Sequence, residues 1–125
     1  MRAAWIYAGL TAVVSAFHLS LILGAPLGHL TMGGQWQGAL PGEGRVASAL
    51  AMVLLAAMAL VVLARARVLR LAVPTFAIWA VVGMLAIGVV QHVATPSAAE
   101  RALWLPLILV MLVCALVVAR QRPGT

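Results

Sequence analysis

The amino-acid sequence predicts an all-α bundle of four membrane-spanning helices, and two features carry that prediction. Hydrophobic residues make up 66% of the 125 residues and charged residues only 8%, with a mean hydropathy of +1.17. Soluble domains carry about 25% charged residues, so this chain has too few to cover a water-exposed globule. The apolar residues also fall into four long runs, and about 18 such residues suffice to cross a bilayer. We expect helices at about 5–24, 46–64, 71–91 and 103–119, in one domain.

The first predicted helix carries a single polar stripe. Tyr7, Thr11, Ser15 and His18 recur every three or four residues, so at 100° per residue they share an arc of about 80°. Polar side chains are costly against lipid, and we therefore expect the stripe to face other helices or a ligand. The run exceeds the roughly 7–15 residues of a signal-peptide core, so we interpret it as a retained helix.

A polar segment at 24–45 joins helices 1 and 2 and holds seven of the eleven glycines. Gly33-Gly34 and Pro41-Gly42 are turn signals, and we expect both members of the first pair to adopt positive φ. Loops of this length are usually functional or disordered. The segment also contains large apolar side chains, which predict that it folds over the outer mouth of the bundle or against the headgroups: Leu27, Leu30, Met32, Trp36 and Leu40.

Helices 3 and 4 are separated by a second polar loop at 94–101, and each carries a proline in its opening turns, where proline is tolerated. The segment from Pro41 through helix 2 is similar to the segment from Pro96 through helix 4. Their ends read ALVVLARAR at 59–67 and ALVVARQR at 115–122. This similarity predicts two tandem helical hairpins.

The arginines predict the orientation of the bundle. Two of the eight, Arg45 and Arg101, lie near the two polar loops, and each stands beside an acid, Glu43 or Glu100. The other six lie at the termini and the helix 2–3 connection: Arg2, Arg65, Arg67, Arg70, Arg120 and Arg122. By the positive-inside rule both termini are cytoplasmic and both polar loops are extracytoplasmic, and we predict a bacterial inner-membrane location.

Composition also excludes several functions. The net charge of +6 comes from arginines that flank apolar runs, which is typical of membrane orientation and not of nucleic-acid binding. The chain has no lysine for a Schiff base. Its one cysteine, Cys114, permits neither an internal disulfide nor a C-x-x-C redox pair. No carboxylate lies inside a predicted helix, which argues against a small proton-coupled drug antiporter.

The candidate ligand-binding residues are the lower part of the helix 1 stripe and the outer polar and aromatic side chains: His18, Ser15, Thr11, His29, Trp36, Trp79 and His92. For His18 itself, a buried histidine that is hydrogen-bonded to a neighbouring helix is the favoured interpretation, and a ligand-contacting or proton-transferring histidine is the alternative. We predict no metal and no cofactor, since the histidines lack H-x-x-x-H or cysteine-paired spacing. A haem or metal between His18 and His92 is the weaker alternative.

The outer acids and bases are predicted to form two salt bridges, Glu43–Arg45 and Glu100–Arg101, because acids suit the positive starts of helices 2 and 4. A general acid–base role for this cluster is the alternative. Whether the protein is an enzyme stays open at this point.

Two functions from different classes follow. The chain binds or acts on an apolar or lipid-like molecule, at a site that opens to the outer leaflet between the His18 stripe and the glycine-rich loop. Alternatively, it is an accessory or assembly subunit without a site of its own, whose loop docks onto a membrane-protein partner or a second copy. In that case Trp36 and Leu40 are expected at the loop surface.

The chain contains several short motifs: Gly24-x-Pro26-x-Gly28, Gly33-Gly34, Gly38-x-Leu40-Pro41, Arg45, Glu100-Arg101 and Trp104-x-Pro106. In this pattern, over most of its length, the chain resembles small four-helix inner-membrane proteins of high-GC bacteria. The resemblance implies four membrane helices and supplies no reaction, substrate or cofactor.

Overall fold

A computed structural model describes residues 2–121. Within that range it contains four long helices and no strand: α1 (Arg2–Ile22), α2 (Gly42–Arg65), α3 (Thr75–Ala94) and α4 (Ala98–Arg120). Each is long and apolar enough to cross a membrane. The prediction of an all-α four-helix membrane bundle is confirmed. Two 3-10 turns, Gly28–Leu30 and Met32–Gly34, lie in the loop between α1 and α2.

All four helix starts differ from the hydropathy prediction, that of α1 by three residues and the others by four or five. α2 begins four residues earlier than expected, directly after Pro41, and α3 begins four residues later, directly after Pro74. Both prolines have extended backbone with ψ of 172° and 150°. Proline fixes its own φ and disfavours helix in the residue before it, so the apolar residues 71–73 lie outside α3.

α4 begins at Ala98, five residues before the predicted start. The hydroxyl of Ser97 accepts a hydrogen bond from the backbone N–H of Glu100 at 3.1 Å, which is an N-cap. The pattern Ser-x-x-Glu is a sequence signal for such a start. Hydropathy does not reveal this helix start, because the residues of the first turn of α4 have low hydropathy. The other ends shift by one to three residues: α1 ends at Ile22, α3 at Ala94 and α4 at Arg120.

The tightly packed core lies toward the chain termini. It draws on the first half of α1, the second half of α2, the first half of α3 and the second half of α4, for example Tyr7, Val62, Ile78 and Val118. α1 packs against α2 and α4, and α3 packs closely on α4 but less closely on α2. The pairs α1–α2 and α3–α4 are therefore helical hairpins. That the two hairpins are a tandem repeat stays a prediction. The outward side chains are large and apolar, as a lipid environment requires.

The glycine-rich loop folds back on itself at the opposite end. Gly33 and Gly34 have φ of 72° and 73°, so the predicted positive φ is confirmed. The N–H of Gly28 donates to the carbonyl of Gly38 at 2.9 Å. The expectation that Trp36 and Leu40 lie at the loop surface is wrong for Leu40, which is only 2% exposed. Trp36 is half-buried, because Gly44 has no side chain to displace its indole ring.

Candidate functional site: a cavity beneath the glycine-rich loop

The glycine-rich loop is hydrogen-bonded to the start of α4. The Oε2 atom of Glu100 accepts from the N–H of Gly33 at 2.9 Å. The Ser97 hydroxyl donates to the carbonyl of His29 at 2.8 Å, and the Trp104 indole N–H donates to the carbonyl of Leu30 at 2.8 Å. These three contacts hold the loop over one end of the bundle. The loop is therefore ordered across that end, as the sequence predicts.

Directly beneath the loop, a cavity of about 420 Å³ lies between the four helices. Ligand pockets for small molecules occupy about 300–1,000 Å³. Its polar lining residues come from the loop and all helices except α2: Thr31, His18, Gln91, His92 and Glu100. Its apolar lining comes from all four helices and includes Phe17, Leu55, Met58, Leu85, Trp104, Leu107 and Met111.

The polarity of the cavity changes along the bundle axis. His18 lies four residues before the end of α1, His92 two residues before the end of α3, and Glu100 in the first turn of α4. The polar groups therefore gather directly under the loop. Met58 and Met111 lie deeper and belong also to the core. From Glu100 to Met111 the lining extends roughly 16 Å, at 1.5 Å per residue.

The cavity opens sideways between α2 and α3. Three of its apolar lining side chains are also exposed on the outside of the bundle: Leu54 at 49%, Met84 at 38% and Ile87 at 61%. All three belong to the two neighbouring helices that pack least closely. The mouth therefore faces the surface that the apolar exterior presents to lipid.

The two histidines of the cavity are each fixed through Nδ1. His92 Nδ1 lies 2.6 Å from the carbonyl oxygen of Gly88, which can only accept, so Nδ1 carries the proton. In the neutral ring Nε2 is then a hydrogen-bond acceptor. His18 Nδ1 lies 3.2 Å from the hydroxyl of Ser48, which is fully buried. A hydroxyl can donate or accept, so this contact is compatible with either tautomer.

Glu100 is a buried carboxylate, only 8% exposed. Its Oε2 accepts from the Thr95 hydroxyl at 3.0 Å as well as from the N–H of Gly33. Hydrogen bonds to an ionised acceptor are stronger than neutral ones, and the positive N-terminus of α4 also favours a negative charge in its first turn. The local structure is thus arranged around an anionic Glu100.

The arginines of the predicted salt bridges donate to backbone carbonyls. Arg45 donates through Nε to Leu40 at 2.9 Å and through Nη1 to Ile22 at 3.4 Å. Arg101 Nη1 donates to the carbonyl of Thr95 at 2.9 Å. Glu43 is exposed in the first turn of α2. The two arginines therefore connect loop residues to helix ends through hydrogen bonds.

The structure brings together only part of the predicted ligand-binding set. His18 and His92 line the cavity, whereas five other candidates do not: Thr11, Ser15, His29, Trp36 and Trp79. Thr11 is buried on the same helix but farther from the loop than His18, and Trp79 is 47% exposed on the outside of α3. His29 contributes its carbonyl to the bond with Ser97.

Most lining residues were not among the predicted ligand contacts, and they include Thr31, Gln91, Glu100 and Trp104. A signal for two of them exists in the sequence. The α4 lining residues Glu100, Trp104, Leu107, Ile108 and Met111 follow the spacing i, i+4, i+7, i+8 and i+11, which is one helix face. The signal is weak because the remaining faces of α4 are equally apolar.

In residues 2–121 no three His, Cys, Asp or Glu side chains cluster as a metal site would require. That the protein needs no cofactor stays a prediction. Comparison of the chain with protein-family models, with curated proteins and with solved structures finds no match. The functional argument therefore starts from the cavity.

Proposed function

We propose that the protein binds a lipid-like molecule with a single apolar tail in the cavity beneath the glycine-rich loop. The observation that carries this proposal is the change of lining within one cavity, from Glu100 and His92 under the loop to Met58 and Met111 near the core. An amphiphile in a bilayer changes from polar to apolar in the same direction along the membrane normal, because its head lies at the interface and its tail lies inside. The cavity offers each part of such a molecule a matching environment.

The orientation of the bundle in the membrane determines which leaflet the polar end of the cavity faces. Five cytoplasmic-side arginines of the sequence prediction lie in the described part of the chain, all at the end opposite the glycine-rich loop, and Arg122 lies outside the described residues. We infer a bacterial inner membrane, the location of the proteins that the motifs resemble, with both termini cytoplasmic. The polar end of the cavity then lies at the outer leaflet, and lipid-borne ligands reach it through the mouth between α2 and α3.

The alternative, an accessory subunit that docks through its loop, has less support. It relied on apolar side chains at the loop surface. Leu40 is buried and Trp36 turns toward Gly44. At 24–41 no large hydrophobic side chain is exposed, and the exposed positions include Gln37 and Gly38. The centre of a protein–protein interface usually contains a large anchor side chain. The cavity therefore supports ligand binding better than docking.

Closing the mouth tests the proposal. Leu54→Trp places a larger side chain at the opening, and Leu50→Trp makes the same change one turn away, at an exposed position that does not line the cavity. Both full-length variants and the wild type are purified from membranes, and extracted amphiphiles are quantified per protein by mass spectrometry. We expect one species near one per chain in the wild type and in Leu50→Trp, and its loss in Leu54→Trp.

Two results would contradict the proposal. One is a wild-type protein that carries no amphiphile above the level of bulk lipid and takes up none on titration. The other is equal retention by the wild type and both variants, because binding would then occur outside the cavity.

A further inference from the structure

The polar end of the cavity presents hydrogen-bond acceptors whose protein donors are incomplete. Both donors that reach the Glu100 carboxylate, the Gly33 N–H and the Thr95 hydroxyl, bind the same oxygen, Oε2. The other oxygen, Oε1, receives no donor from residues 2–121 and is not sealed off by protein. In the neutral ring of His92, Nε2 is a second acceptor, because Nδ1 donates its proton to the Gly88 carbonyl. Both side chains line the cavity.

Each side chain near these acceptors has its donor engaged, does not line the cavity, or can also accept a hydrogen bond. The indole N–H of Trp104 binds the carbonyl of Leu30, and Arg101 directs Nη1 to the carbonyl of Thr95. Thr31 has a hydroxyl that can donate or accept, and the role of His18 depends on its tautomer. Gln91 lies at the exposed rim.

The cavity lining is poor in strongly basic side chains. Among residues 2–121 no arginine lines the cavity and Glu100 is the only carboxylate that does, and the chain contains no lysine. An anionic head group would meet this carboxylate with no arginine or lysine among the described lining residues, which is unfavourable in a partly dehydrated site. A cationic head group would supply the missing donor and compensate the charge.

Aromatic side chains lie beside the carboxylate. Phe17 and Trp104 both line the cavity, and their ring centroids are 4.7 Å apart. Trp104 follows Glu100 by one helical turn on the same face of α4. Aromatic faces attract cations within about 6 Å of the ring centre. This environment favours the same kind of head group as the carboxylate does.

We propose that the head group of the bound amphiphile is a protonated amine, which donates N–H hydrogen bonds to Glu100 and His92. This inference rests on the proposed function, because it assigns the ligand class of the same cavity. It adds a requirement for both positive charge and N–H donors, which the shape of the cavity alone does not impose.

A series of probes with one tail and different heads tests this assignment. Full-length protein in nanodiscs of zwitterionic lipid is titrated with dodecylamine, dodecyltrimethylammonium, dodecanol and dodecyl sulfate, and binding is measured by calorimetry. We expect dodecylamine to bind tightest and dodecyl sulfate weakest. Charge-assisted hydrogen bonds contribute about 1.5–3 kcal/mol, so the amine should bind roughly 10–100-fold more tightly than the alcohol.

A matched pair of substitutions locates the effect. Glu100→Gln keeps the side-chain shape and one carbonyl oxygen for the Gly33 N–H, and we expect it to weaken dodecylamine binding at least about tenfold while dodecanol binding changes less than about twofold. Glu43→Gln removes the same charge from an exposed position at the same end of the bundle, and binding should be unchanged. An equal effect of both substitutions would show mere attraction of amines to the membrane surface and would overturn the assignment.

The wild-type series decides the question even if Glu100→Gln does not fold. Saturable binding of dodecanol or dodecyl sulfate at least as tight as that of dodecylamine would overturn the amine assignment and leave the proposed function standing. Equal binding of dodecyltrimethylammonium would overturn the role of N–H donation. Absence of saturable binding by all four probes would overturn both this inference and the proposed function.

Discussion

Gly28→Ala should open the glycine-rich loop, because the position has no room for a side chain. A methyl group there would collide with the carbonyl oxygen of Trp36 and would lie 2.6 Å from that of Gly38. Both obstacles are backbone atoms, which cannot rotate away as a side chain would. The same residue donates its N–H to the Gly38 carbonyl at 2.9 Å, so relief of the clash also breaks this bond.

The expected cost follows from these two terms. Overpacking of a tight site costs about 1–3 kcal/mol, and a buried donor left without a partner costs about 1–3 kcal/mol. We therefore expect Gly28→Ala to destabilise the closed loop by about 2–5 kcal/mol. Gly38→Ala is the matched control, since nothing lies within 4 Å of its added methyl group. A surface change of this kind should stay within about 0.5 kcal/mol.

Hydrogen exchange of the loop amides in detergent-solubilised protein measures this difference directly. Loss of about 2–5 kcal/mol corresponds to exchange faster by roughly 30-fold or more at the Gly28 and Gly33 amides, since each 1.4 kcal/mol is a factor of ten in an equilibrium constant. Gly38→Ala should exchange like the wild type. Equal protection in both variants would refute the packing of the loop described above.

Three further predictions concern stability and orientation. Tyr7→Phe should leave the melting temperature unchanged or raise it, because the Tyr7 hydroxyl is buried without a hydrogen-bond partner among the described residues; a fall of several degrees would show that it has one. Ser97→Ala should destabilise α4 and the loop by about 1 kcal/mol or more in thermal unfolding, since it removes the N-cap and the bond to His29; unchanged unfolding would contradict the cap. Gly38→Cys with Cys114→Ala should react with an impermeant thiol reagent from outside intact cells, and reaction only after permeabilisation would reverse the orientation.

Hydropathy alone was enough to predict the four helices, because lipid-facing and core-facing positions are both apolar in such a bundle. It misplaced the start of α3 because Val73 is apolar but precedes a proline. It missed the first turn of α4 because that turn is polar and is defined by the Ser97 cap. Local backbone chemistry, and not hydropathy, sets these boundaries.

The candidate site was predictable only in part. The polar stripe indicated that His18 faces inward, which the bond to Ser48 bears out. The sequence pairs Glu100 with its neighbour Arg101, whereas one of its two donors is the Gly33 N–H, 67 residues away in the chain. Trp79 was a candidate because of its depth in the membrane, but depth does not determine which face of a helix a residue occupies. Contacts between residues so far apart in the sequence depend on how the helices pack.

Photolabelling tests the central claim, that the space between the four helices binds an amphiphile, most directly. Full-length protein in nanodiscs is irradiated with a single-tailed amphiphile that carries a diazirine in its tail, and the labelled residues are mapped by mass spectrometry. We expect labels on cavity residues such as Met58, Met84 and Met111 that disappear with excess unlabelled amphiphile. Labels on lipid-facing Val53 and Phe76 should persist. Labels confined to the lipid-facing residues, or cavity labels that excess amphiphile does not suppress, would contradict the account.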